Sequence, residues 1–137
     1  MGIEAAVYSV LSSSTALSAL VGTRIYPNTI PQNKAFPHVS FTIEDNEKYH
    51  GLNTTVSLTR ASVSVECYTE NSYLDAVNIA NVIRNILNTQ STTWGTLSVQ
   101  NAHVGSETDL GAITPTDGSD DYIYQRSLDC DVFYYST

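Results

Sequence analysis

The apolar positions Ile3, Ala6, Val7, Val10 and Leu11 recur at a helical spacing. Ser12-Ser13-Ser14 interrupts them, and serine competes for backbone hydrogen bonds and favours helix caps. Ser14 is placed to cap a second short helix, Thr15–Val21, whose apolar residues are Ala16, Leu17, Leu20 and Val21. Gly22 stands where a left-handed residue closes a helix. Two such amphipathic helices need a flat apolar partner. Residues 23–37 then read as an extended segment stiffened by Pro27, Pro31 and Pro37.

From His38 the period changes to two. Val39, Phe41 and Ile43 alternate with Ser40, Thr42 and Glu44, as in a half-buried strand. Gly51-Leu52-Asn53 marks a turn, and Thr55–Thr69 predicts the next strand. There Ala61, Val63, Val65 and Cys67 share one parity, while Val56 and Leu58 take the other. A bulge near Thr59-Arg60 or a projecting hairpin reconciles the two halves. Ser72 with Asp75 forms a weak capping box ahead of a helix over Tyr73–Leu87, striped by Tyr73, Ala76, Val77, Ala80, Ile83 and Leu87 and ended by Asn88.

Thr93–Glu107 predicts a third strand, with Leu97 and Val99 in one parity and Ala102 and Val104 in the other. Residues 105–121 read as a loop, most clearly over 110–121. The last run is a long strand. Tyr122, Tyr124, Leu128, Cys130, Val132 and Tyr134 share one face, and Ile123, Gln125, Ser127, Asp129 and Asp131 share the other. The order α-α-β-β-α-β-β predicts an α+β fold, a mainly antiparallel β-sheet with helices packed on one face. The 137 residues suit one domain, 1–137.

Composition sharpens this picture. Hydrophobic residues are 42% of the chain, enough for a core, and charged residues only 15%, against roughly 25% in soluble domains. Ser, Thr and Asn fill the difference. The net charge of −8 and the scattered placing of Arg24, Lys34, Lys48, Arg60, Arg84 and Arg126 speak against binding to nucleic-acid backbones or anionic membranes. No apolar run approaches the roughly 20 residues of a membrane span. The first residues lack the basic region of a signal peptide. Ala6 stands where a myristoylation motif needs Ser or Thr. Cys67 and Cys130 lie in strand-like runs and read as buried small hydrophobes; whether they meet is left open.

Chemistry-bearing patterns are sparse. His38, His50 and His103 have no partner at metal-ligand spacing. There is no G-x-S-x-G elbow and no phosphate loop, and no cofactor is implied. Glu44, Asp45 and Glu47 form one acidic cluster, and Asp117, Asp120 and Asp121 another that lacks the calcium-loop pattern. Asp129 and Asp131 differ, because the other face of their strand is apolar. Their face, with Glu66 as a candidate neighbour, looks onto water, a lumen or a partner. Tyr122, Tyr124, Tyr134 and Tyr135 crowd the last strand, and tyrosine is enriched at protein interfaces.

VYSVLSSSTALSALVGTRIYP, IPQNKAFPHVSF and ASVSVECYTENSYLDAVNIANVIRNIL together resemble the tail completion proteins of long-tailed bacteriophages and gene transfer agents, also called tail terminators or tail-to-head joining proteins. The likeness includes the closing strand and covers most of the chain, but residues 104–121 add nothing to it. It implies a virion protein without enzymatic activity. It further implies a homo-oligomeric ring, usually a hexamer, at the head-proximal end of the tail tube. Such a ring stops tube polymerisation and docks on the head–tail connector or stopper, and DNA crosses its lumen without specific binding. Glu66, Asp129 and Asp131 are then candidates for the lumen. Ile25, Tyr26, Pro27 and Ile30 of the proline segment, with the four tyrosines, are candidates for subunit or partner contacts. The competing reading is a monomeric acidic binding module or small enzyme with a cation- or sugar-binding pocket.

Overall fold

A computed structural model describes residues 2–28, 36–49, 57–70, 72–113 and 123–136. Helices α1 (Ile3–Ser12) and α2 (Thr15–Val21) lead into β1 (Ile25–Pro27), β2 (His38–Tyr49) and β3 (Ser57–Glu70). Helix α3 (Tyr73–Leu87) follows, then β4 (Thr89–Trp94), β5 (Leu97–Ile113) and β6 (Ile123–Ser136). The strands form one sheet in the order β1-β2-β3-β6-β5-β4. Among the described residues β1 and β2 pair in parallel and the other pairings are antiparallel. This is the expected α+β fold.

Local chemistry sets the helix bounds. The Ser14 hydroxyl accepts from the Leu17 N–H at 3.2 Å, and Ser72 Oγ accepts from the Asp75 N–H at 3.3 Å. Gly22 ends α2 with φ 62° and ψ −128°, a positive φ as expected but outside the left-handed helical well. Each helix buries a stripe: Ile3, Ala6, Val7 and Leu11 on α1; Leu17 and Val21 on α2; Ala76, Ile79, Ala80, Ile83 and Leu87 on α3. Tyr73, read as part of the α3 stripe, is exposed.

The stripes pack on the sheet face formed by Val39 and Phe41 of β2, Ala61, Val63, Val65 and Cys67 of β3, Val99 and Ala102 of β5, and Leu128, Cys130 and Val132 of β6. Burying one such aliphatic side chain contributes roughly 1.5–3 kcal/mol, so this layer is the main stabilising feature. Cys130 lies opposite Val63, four residues along β3 from Cys67. At roughly 3.3 Å per residue the two thiols are about 13 Å apart, beyond the reach of a disulfide.

Four sequence expectations change. Strand β1 lies inside the segment 23–37, so that segment begins as an edge strand on the chain's own β2. The bulge expected near Thr59-Arg60 sits instead on β2, between Ile43 and Asp45; β3 pairs with β6 from Ser57 to Glu70 without a shift. Leu58 lies on the outer parity, opposite Tyr135. The third strand is a hairpin, β4 and β5, turning at Gly95 with φ 65°. Finally, residues 105–113 are not loop: β5 continues to Ile113, with register shifts at Val99/Asn101, Val104/Ser106 and Asp109/Gly111 that reconcile its two parities.

Candidate functional site

The sheet face turned away from the helices is polar. Its rows follow from the strand register. Ser40, Glu66, Ser127 and Thr108 form one; Thr42, Ser64, Asp129 and Ser106 the next; Asp45, Ser62, Asp131 and His103 a third. Glu66, Asp129 and Asp131 are thereby brought onto one face, the first two between hydroxyl side chains and Asp131 between Ser62 and His103. Asp129 is exposed, and Glu66 and Asp131 are half-buried.

Basic side chains on this face lie against acids. Arg60 lies 3.4 Å from Glu47 and 3.6 Å from Asp131, and His103 lies 3.9 Å from Asp131. These are surface contacts, each contributing about 0–1 kcal/mol. Their main effect is on the field, because carboxylates outnumber cations and the face stays negative.

At the β1 margin the same face carries an aromatic cluster. His38, 4% exposed, stacks on Phe36 at 4.7 Å between centroids, lies 5.0 Å from Tyr68 and meets Tyr26 edge-on at 6.0 Å. The Tyr68 hydroxyl donates to Glu66. Burial, followed by this contact with Glu66, pushes the Tyr68 hydroxyl up to about 12.

The segment containing Ile25 and Tyr26 is tied within the chain at both ends. Val39 N–H donates to Arg24 O at 3.0 Å and Asn28 N–H to Phe41 O at 2.7 Å. Ile25 is 4% exposed and belongs to the chain's own core. Tyr26 is half-buried and Pro27 exposed. Ile30 and Pro31 lie outside the described residues.

The four tyrosines separate. Tyr134 faces the helices, is 5% exposed and donates to Asn46 Oδ1 at 3.0 Å, which places it at the chain's own core. Tyr124 is half-buried with its ring edge-on to Tyr73, and Tyr135 is exposed on the outer side. Tyr122 lies outside the described residues, as do Asp117, Asp120 and Asp121. Among the described residues no group of three or more His, Cys, Asp or Glu is placed to hold a metal ion. Among the described residues no single helix is long and apolar enough to cross a membrane.

Sequence reasoning missed one cluster. Arg84, Glu107, Asp109, Arg126 and Tyr73 meet on the helix-facing side, next to Leu128. Arg84 and Arg126 are far apart in the chain, and residues 105–113 carry no alternation that would have placed Glu107 and Asp109 on a strand. The signal available was Arg126 itself, a charge in the apolar parity of the last strand.

Comparison with known proteins adds identity to this geometry. A family model described as tail completion protein gp17 matches residues 5–116. No curated protein matches the chain. Among solved structures, a chain of the virion of a native gene transfer agent particle superposes with a TM-score of 0.67 at 18% identity, covering 98% of this chain and 95% of that one. A second solved structure gives a TM-score of 0.50 at 13% identity, covering 99% of this chain and 100% of that one. At these identities the two structures show a shared fold.

Proposed function

The chain belongs to the tail completion protein gp17 family, a structural component of the phage virion, and from that premise we propose that it closes the tail tube as a ring. In this reading the chain forms a homo-oligomer, a hexamer by family resemblance, at the head-proximal end of the tube. There it ends tube polymerisation and joins the head connector or stopper. It performs no chemistry of its own.

The observation that carries the reading is the acidic sheet face turned away from the described helices. Glu66, Asp129 and Asp131 are aligned there by strand register. A positive surface binds the DNA backbone by releasing its counterions. A negative one does the reverse and lets a duplex slide past. Turned to the lumen, this face keeps DNA passage non-adhesive. Heterologous contacts, which rings require, fall to other surfaces, with Tyr26, Pro27, Tyr124 and Tyr135 the exposed or half-buried candidates among the described residues.

Particles assembled without this protein should carry tails of irregular length, unattached to heads. Tails of normal length joined to heads would overturn the reading. For the lumen, the pair Asp129→Lys and Asp131→Lys should leave particles that assemble but deliver DNA poorly; unchanged delivery would remove the face from the DNA path.

A further inference from the structure

Helix α3 turns two different faces to its surroundings. Ala76, Ile79, Ala80, Ile83 and Leu87 are buried, and Val82 and Ile86 pack partly against the core. The opposite side carries Leu74, Asn78, Asn81 and Asn85, all exposed, Leu74 at 70%. Their spacing of four, three and four residues sets them in one row along the helix, as at the a and d positions of a heptad.

This row is unlike an ordinary solvated helix face. Glu, Lys and Arg favour helix and suit such positions, whereas asparagine competes for the backbone and costs about 0.5 kcal/mol per site. The charged residues beside the row are Asp75 near its start and Arg84 near its end, and Arg84 is paired with Glu107. Asn88, at the helix end, is used within the chain, accepting from the Val104 N–H at 2.7 Å. Asn78, Asn81 and Asn85 make no side-chain hydrogen bond to the described residues. A carboxamide both donates and accepts, so a row of them complements a copy of itself. Chains of net charge −8 repel one another wherever acids meet, and this row offers an uncharged meeting place.

We propose that the outer row of α3 is a contact surface for α3 of a second copy of this chain, packed antiparallel across a two-fold axis. Centred between Ile79 and Ala80, this packing sets Asn78 of each copy against Asn81 of the other. It brings the Asp75 end of one helix beside the Arg84 end of its mate and opposes the two helix dipoles. Paired asparagines at such positions fix register at a cost in stability. A helix of 15 residues is about 22 Å long. The contact is therefore smaller than a standard interface of roughly 1,600 Å² and weak by itself. It does not depend on the ring reading.

Sedimentation equilibrium of the full chain, up to about 1 mM, tests it. The unsubstituted chain should show a reversible doubling of mass. Asn81→Glu sets like charges near the axis and should weaken that step by about tenfold or more. Asn81→Leu should tighten it by a similar factor and add no further step. Ser13→Glu, exposed at the end of α1, should leave it unchanged. If circular dichroism shows that Asn81→Glu fails to fold, Asn85→Glu and Asn81→Leu decide the matter. A mass that does not double even with Asn81→Leu, or a doubling that the Asn81 substitutions leave untouched, would overturn the proposal. So would a chain that never doubles and whose Asn81→Glu form loses only its joining to tails, which would give this face to another virion protein.

Discussion

Arg24 Nε donates a hydrogen bond to the carbonyl oxygen of Pro37 across 2.8 Å, so the two residues close the mouth of the segment between them. A charged donor to a part-buried carbonyl contributes about 1.5–3 kcal/mol. Arg24→Ala should lower unfolding stability by that amount in urea titration. A change below about 0.5 kcal/mol would mean that the β1–β2 pairing alone fixes the segment.

Neighbouring residues of β1 should behave in opposite ways. Ile25 is buried in the core, so Ile25→Asp places an unpaired carboxylate there and should cost about 4 kcal/mol or more. Tyr26 is half-buried on the outer side, so Tyr26→Asp should leave a folded monomer. In the ring reading it also impairs assembly, measured by sedimentation and by joining of tails to heads. A Tyr26→Asp chain that assembles normally would exclude this side chain from the contact.

Gly22 combines φ 62° with ψ −128°, a conformation that L side chains rarely adopt. Gly22→Ala should therefore destabilise by about 1–3 kcal/mol, seen as a lower thermal midpoint. Because the glycine joins α2 to β1, hydrogen exchange should show the loss first in α2.

Alkaline pH should unfold the chain by a predictable route. Burial raises both Cys67 and Cys130 from 9.0 to about 12, and Tyr68 rises from 10.0 to about 12. A raised acid favours its protonated form in the fold. Its stabilisation is complete below the unfolded value and is lost as pH climbs towards the folded one. Stability should hold to about pH 9 and fall between 9 and 12, by on the order of a few kcal/mol per thiol. Cys130→Ala should flatten that decline; an unchanged slope would show that the thiol does not contribute.

The legible parts of the fold were those with caps or strict alternation. Ser14 and Ser72 marked α2 and α3, whose bounds match the sequence reading, and the inward residues of β6 were visible as a period-two run. Strand β1 was hidden because three residues ending in proline carry no period. β4 was hidden because Thr89–Thr93 is polar and mostly exposed, its strand character coming from pairing with β5. The far half of β5 reads as loop because its bulges shift parity and its inward residues, Glu107 and Asp109, are charged. The acidic face was half legible: Asp129 and Asp131 could be paired by parity, but Glu66 joins them only through the β3–β6 register.

Cys67 and Cys130 lie inside the protein, separated by four residues of strand register. Neither can reach the other, and as buried, protonated thiols both are poor nucleophiles. The covalent structure of the chain is therefore the same in reducing and in oxidising surroundings.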